Sequence, residues 1–353
     1  MSDFRSSASF KVARQVLRFV LPIILLAIIF SRIDLDKLIG NFREVNYIYL
    51  LGVLALIVLP QVLIGSFRWK ILLQGLYGID VPYLSLLRYM WIGMFVGYFV
   101  PGGIGIDIFR TYGAKKHGGG YKKNIATIIA EKIYAAIASI LLLLVCYLIV
   151  RDRITAEPGI IELIRICFFA GSLLLLLGTA SVIATRTGRG RILLSFIHRK
   201  FDSAIVKVMS RITGRDRNIM EEENITSTLI KPLFNWRIIL LTVSITILLR
   251  ILTGIGINIL YRALGMELPI LVNVFVSTLL FYLFILPVSF GSLGVREGGN
   301  ILLYGLFGVE AETALTASFL SLACIMVGIS VGGIIMLVDN ATAGKNKADM
   351  ELK

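Results

Sequence analysis

The sequence predicts an all-α polytopic membrane protein built as an inverted repeat, with two Pro/Gly-broken re-entrant helical hairpins. Three observations carry this expectation. First, 57% of the 353 residues are hydrophobic, and several apolar runs approach the roughly 20 residues that cross a bilayer core. Second, a Pro- and Gly-rich break occurs twice in apolar surroundings. One copy is Pro101-Gly102-Gly103-Ile104-Gly105-Ile106-Asp107-Ile108-Phe109-Arg110, the other Pro287-Val288-Ser289-Phe290-Gly291-Ser292-Leu293-Gly294-Val295-Arg296-Glu297. At an offset of 186 residues Pro101 falls on Pro287, Phe95 on Phe281, Gly105 on Gly291 and Arg110 on Arg296. Just upstream, Gly78-Ile79-Asp80-Val81-Pro82 matches Gly265-Met266-Glu267-Leu268-Pro269, one residue out of step, which marks an internal duplication. Third, basic residues crowd some segments between spans and are missing from others, which sets the direction of each span.

In order, residues 1–46 form an N-terminal unit. Arg5, Lys11, Arg14 and Arg18 against Asp3 hold the N-terminus in the cytoplasm. The apolar run from Phe19 to Phe30 has the look of a signal peptide. No small-residue cleavage site precedes Arg32, so it is expected to stay as a first span. In 31–46 the bases Arg32, Lys37 and Arg43 balance Asp34, Asp36 and Glu44, as suits an outer loop.

Repeat 1 covers 47–150. Its first span, about Tyr47 to Phe67, returns to a cytoplasmic Arg68-Trp69-Lys70. Residues 83–100 are apolar and, at 1.5 Å per residue, would reach roughly 27 Å. Yet Lys115, Lys116, Lys122 and Lys123 after the motif are again an inside signal. Both ends of 83–120 are therefore expected inside, with the motif as the turn of a re-entrant hairpin. Broken backbone at that depth is tolerated only where protein buries it or it lines a wet cavity. Span 124–150 completes the repeat.

Residues 151–184 make a short turn and a linker span at 161–184. The basic segment 185–235 is the strongest inside signal. Within its stretch 191–213, Leu193, Ile197, Phe201, Ile205, Val208 and Ile212 recur every three or four residues among Lys and Arg. That pattern fits a basic amphipathic helix on the anionic inner leaflet, and equally a helix packed beneath the membrane domain. Repeat 2 covers 236–338. Its span 236–261 goes outward, and its hairpin, 270–309, carries only Arg296 and Glu297 as charges, which suits the outer side. The last span, 313–338, leads to a cytoplasmic tail, 339–353, with Lys345, Lys347 and Lys353. Hairpins entering from opposite faces make the repeats inverted. Gly and Pro interruptions at matching places in two halves point to a transporter's binding site.

The formal charge of +14 sits mainly in loops and flanks, where anionic lipid explains it, and no folded basic module argues for nucleic acid. Cys146, Cys167 and Cys324 lie in apolar segments as small core hydrophobes, and His117 and His198 lie in polar basic stretches. No metal or cofactor is expected. No hydrolase, zinc-protease, Walker or dinucleotide motif is present, so no catalytic role is expected either.

The candidate substrate-binding residues are Arg110, Arg296 and Arg250, with Gly103, Gly105, Gly291 and Gly294 at the breaks. Free backbone N–H groups and helix termini at such breaks receive anions, and the planar arginine fork suits phosphate. A membrane charge costs about 2.5–3.5 kcal/mol on insertion scales, so each arginine must face a cavity or a partner. Asp107, Glu131, Lys132 and Glu297 are the gating or ion-pairing candidates. A purely structural role, with Asp107 neutralising Arg110 three residues along a helix, fits the same spacing. Arg88, nearer a helix end, is expected to snorkel.

Pro-Gly-Gly-x-Gly-x-Asp-x-x-Arg at 101–110 and Ser-Phe-Gly-Ser-Leu-Gly-Val-Arg-Glu-Gly at 289–298 resemble the flippase-like membrane family that includes the transmembrane region of lysylphosphatidylglycerol synthase. The resemblance spans about residues 15–340. It implies movement of aminoacylated phospholipids, or polyprenyl-linked or hopanoid-type lipids, across or within the membrane. Two departures stand out. The family often has Asp-Arg after the first motif where this chain has Glu131-Lys132, and the aminoacyl-transferase domain of the full synthase is absent from these residues.

The expected function is therefore an ATP-independent lipid translocase of the cytoplasmic membrane, both termini inside, whose partners are an anionic-headgroup lipid and the inner leaflet. A homo-oligomer is compatible with this. Two other classes stay open: a polyprenyl-phosphate-dependent glycosyltransferase using the outer Asp34 or Asp36, and a non-transporting scaffold for a lipid-modifying enzyme.

Overall fold

The computed structural model describes residues 24–100, 104–115, 117, 120–154, 235–285 and 294–351. The expected linker span 161–184, nearly all of 185–235 with its amphipathic stretch, and Pro101, Gly103, Pro287 and Gly291 lie outside these residues. Among the described residues the fold is all helical.

After a helical segment at 24–30, α1 (Leu35–Glu44) occupies the expected outer loop. Asp34 starts it: its carboxylate accepts from the N–H of Asp36 (3.0 Å) and of Lys37 (3.2 Å), satisfying donors that a helix start leaves open. Helices α2 (Tyr49–Ile57) and α3 (Leu59–Tyr77) form one membrane-length rod. The interruption at Val58 precedes Pro60, which near a helix start forfeits no intrahelical bond. The rod continues past Phe67, where charge alone ends the span. It stops at Gly78, whose φ of 66° is the left-handed cap that glycine takes freely.

A hairpin of two short helices follows, α4 (Tyr83–Phe99) and α5 (Ile104–Lys115), and then α6 (Tyr121–Val150). The second half has the same order: α7 (Trp236–Ala263), short α8 (Ile270–Ile285) and α9 (Val295–Gly305), and α10 (Ala311–Glu351). Four rods among the described residues are long and apolar enough to cross a membrane: Tyr49–Tyr77, Lys123–Arg153, Trp236–Ala263 and Ala311–Asp339. Leu84, Leu302, Val327, Ile334 and Leu337 stay exposed on the outer surface, which suits a hydrocarbon solvent.

Residue pairings give the relative directions. Gly52 meets Ile259, Gly256 meets Ile57, Gln61 bonds Thr253, Arg68 bonds Thr246 and Gly75 meets Ile238. One number rises as the other falls, so the α2–α3 rod and α7 are antiparallel. Cys324 reaches the Leu50 carbonyl and Gly328 packs on Val58, so α10 runs parallel to that rod. The early part of α6, Ala130 to Ala138, clusters with Ile238 and Val243. Its late part, Leu143 to Val150, joins the cluster of Leu260 and Tyr261. Helices α6 and α7 are therefore parallel.

Helices in lipid gain no hydrophobic drive from one another, so close packing must hold them, and small residues permit it. Glycines mark the crossings. Within the first hairpin Gly113 lies against Tyr89, Gly93 against the Ile106 backbone and Gly105 against Gly97. Farther along, Gly254 meets Val274 and Gly332 the Trp91 carbonyl.

A Cβ at Gly105 would sit 2.6 Å from Gly97 backbone atoms, whereas one at Gly40 in α1 meets nothing within 4 Å. Gly105→Ala is expected to destabilise by about 1–3 kcal/mol through overpacking. Gly40→Ala should be neutral or stabilising by up to about 1 kcal/mol from helix propensity. Thermal unfolding of both variants in detergent checks the opposite signs.

Candidate functional site

Helix α5 directs Asp107 and Arg110 to one side of the first hairpin, three residues apart on neighbouring turns. Arg110 is 4% exposed, and Glu131 on α6, 6% exposed, is its carboxylate partner. One Glu131 oxygen, Oε2, accepts from Arg110 Nη2; the other, Oε1, accepts from Arg68 Nη2 on α3. Arg68 Nη1 also donates to Thr246 Oγ1 on α7 at 2.8 Å. The Arg110 guanidinium lies over the Trp69 ring, 4.4 Å from its centroid, a face that favours a cation. Asp107 is 3.8 Å from Arg110 but 3.1 Å from Lys132 Nζ. The carboxylate three residues away is therefore a secondary partner, and Glu131 from another helix is the primary one.

The formal charges in this cluster do not cancel. Arg68, Arg110 and Lys132 face Asp107 and Glu131, leaving one positive charge. Nε of Arg68 and Nε of Arg110 are both buried without a hydrogen-bond acceptor, a state that costs roughly 1–3 kcal/mol per donor, or more for a charged one.

A second, smaller cluster forms at the start of α9. Arg296 is 5% exposed and Glu297 fully buried. Arg296 donates through Nε (3.0 Å) and Nη2 to Glu297 Oε1. Glu297 Oε2 accepts from the N–H of Gly294 at 2.6 Å. Gly294, at φ 80°, thus bonds to its own helix's carboxylate. Tyr98, near the end of α4, is close enough to interact electrostatically with Arg296 and Glu297. Among the described residues Arg110 and Arg296 pair with different carboxylates, each in its own cluster.

The remaining candidates have the following contacts. Arg250 packs over the Phe281 ring, 3.6 Å from its centroid. Gly105 is a packing contact inside the hairpin, while Gly103 and Gly291 lie outside the described residues. Arg88 does not merely snorkel: it pairs with Asp339 on α10. Asp34 spends its carboxylate on the α1 cap, and no group of three or more potential metal ligands occurs among the described residues. Cys146 and Cys324 are buried free thiols. Arg68 and Trp69, central to the cluster, are not legible as site residues, because an Arg-Trp-Lys run after an apolar segment reads as a membrane boundary. Their signal is the apolar stretch that resumes at Ile71.

Membrane-length helices, an apolar outer surface and charges gathered inside the bundle define an integral membrane protein. Over residues 15–333 the chain matches the family described as the lysylphosphatidylglycerol synthase TM region, and it belongs to that family. No curated protein and no solved structure matches it.

Replacing Glu131 with Gln leaves the buried Arg110 and the part-buried Arg68 without their carboxylate, which should cost about 3–5 kcal/mol. Breaking the half-exposed pair of Arg88 and Asp339 by Arg88→Ala should cost about 0–1 kcal/mol. The double variant Arg110→Met with Glu131→Met should lose less than the two single changes added together. Unfolding midpoints of the purified variants measure all three.

Proposed function

We propose that this protein is an ATP-independent lipid translocase of the cytoplasmic membrane, which takes the anionic headgroup of a phospholipid or polyprenyl-type lipid into the bundle while the tails stay in the bilayer. The observation that carries the reading is the pair of buried Arg110 and part-buried Arg68, sharing the single carboxylate of Glu131. Intramembrane charges are costly and mark substrate paths, and paired guanidinium forks accept phosphate as readily as carboxylate. Membership of a family named for the membrane region of a lipid synthase supports a lipid role.

The reading includes an inverted repeat whose hairpins 83–120 and 270–309 re-enter from opposite faces, the first from the cytoplasm. Two findings support it: the first rods of the halves are antiparallel, and both halves run rod, two short helices, rod. Proximity of Tyr98 to Arg296 also supports a meeting of the two hairpins, as such transporters require. In this topology both termini are cytoplasmic.

Two experiments test this. His117 and Glu310 are both exposed. His117→Cys should be labelled by an impermeant thiol reagent only from the cytoplasmic side and Glu310→Cys only from the outer side; labelling of both from one face removes the inverted repeat. In proteoliposomes with fluorescent phosphatidylglycerol quenched from one side, Arg110→Lys and Arg296→Lys should each slow transport about tenfold or more, because the charge stays while the fork is lost. Wild-type rates in both variants would place the site elsewhere.

A further inference from the structure

Resting on the translocase reading, the charge arithmetic of the first cluster narrows the substrate class. We infer that the Arg68, Arg110 and Glu131 cluster selects headgroups carrying one net negative charge, a phosphodiester monoanion, and that Lys132 and Asp107 set this selection without being indispensable to the fold.

The site has a fixed core and an adjustable rim. In the core, Arg68 and Arg110 are held by Glu131, with Thr246 and Trp69 orienting their guanidinium groups. Their two Nε–H donors are buried and unmatched, and Arg110 itself is 4% exposed. Both donors thus await an acceptor that the described residues do not supply. A phosphate oxygen is suited to this, since an arginine binds oxyanions through Nε and Nη together.

The rim is where the cluster opens. The Lys132 side chain is 67% exposed and pairs with an Asp107 side chain that is 21% exposed, whereas those of Arg110 and Glu131 are 5% and 8% exposed. Exposed apolar residues adjoin the pair along the chain: Ile108 next to Asp107 and Tyr112 farther along α5, and Ile133 next to Lys132 on α6. An exposed charge with exposed apolar residues beside it in the sequence suits a lipid, whose headgroup would enter past Lys132 while its tails stay in the bilayer.

Charge then decides which headgroup is favoured. The cluster holds one positive charge in excess, and in a low-dielectric interior an unbalanced charge is expensive. A monoanionic headgroup brings the total to zero. A zwitterion leaves the excess in place, and a dianion overshoots it. Shifting the resting charge should therefore shift the preference: Lys132→Gln lowers the cluster to neutral, and Asp107→Asn raises it by one.

The experiment uses the full chain in proteoliposomes with three labelled lipids, phosphatidylglycerol, phosphatidylcholine and cardiolipin, whose two phosphodiesters make it a dianion. Wild type should move phosphatidylglycerol at least tenfold faster than the other two. Lys132→Gln should cut that preference at least fivefold, and Asp107→Asn should move the optimum towards the dianion. Because both side chains sit at the rim, unfolding midpoints near wild type are expected and are measured alongside; if either variant unfolds, Lys132→Met and Asp107→Ser replace it. Transport of all three lipids at equal rates, or a preference untouched by folded rim variants, overturns the inference and leaves the translocase reading standing. Movement of none of the three by wild type overturns both.

Discussion

The first half of this protein depends on one carboxylate. Glu131 divides its two oxygens between Arg68 and Arg110, so α3, α5 and α6 meet at a single side chain, and Thr246 adds α7 through Arg68. Each arginine alone would be a costly passenger in the membrane, and each offsets that cost only by sharing a partner. Helices without a hydrophobic force between them need such ties. The arrangement adds ion pairs and glycine contacts to the buried cluster of Trp69, Leu73, Leu86 and Ala114 that packs the first hairpin on α3.

The two halves solve the same problem differently. Arg110 and Arg296 occupy equivalent positions after the two breaks, yet Arg110 draws its carboxylate from another helix and Arg296 from the next residue. Glu297 also bonds the Gly294 N–H, so the second motif closes on itself. Displacing α5 must therefore break contacts to other helices, whereas α9 can shift with its ion pair intact. Both halves thus carry the arginine but differ in its counter-charge, which concentrates inter-helix ion pairing in the first half.

Much of this was legible in the sequence. Helical class and membrane character followed from apolar run length, and the Pro/Gly breaks fell between the short helices of each half. Buried positions for Arg110 and Arg296 followed from the cost of a membrane charge. What escaped was partner choice, because a salt bridge between helices has no fixed spacing along the chain. Asp107 looked like the natural mate of Arg110 by its three-residue offset, yet tertiary packing supplied Glu131 instead and gave Asp107 to Lys132. Arg68 escaped for a related reason: charge bias reads a basic residue as a boundary, and only the neighbour on α6 turns it inward. Asp34, noted for its acidic neighbour two residues on, proved to be a helix cap.

The long α10 shows which part of the first hairpin is fixed. At its start Glu312 and Thr313 bond Asp34 and Asn41 of α1. Farther along, the Gly328 carbonyl accepts from Trp91 Nε1 at 2.9 Å, and Asp339 pairs with Arg88. Helix α4 is thus fastened to α10 by a hydrogen bond, an ion pair and the close seat of Gly332 on its backbone. Helix α5 has a different set of neighbours: it touches α4 through glycines and the edge-on rings of Tyr89 and Tyr112, α3 through Ala114 and the Arg110–Trp69 contact, and α6 through Glu131. Among the described residues, Glu131 is the one side chain that ties α5 to both α3 and α6 by charge. Any rearrangement that admits an anion at the first cluster must therefore exchange ligands at Glu131, and α5 is the helix of the hairpin whose contacts such an exchange changes.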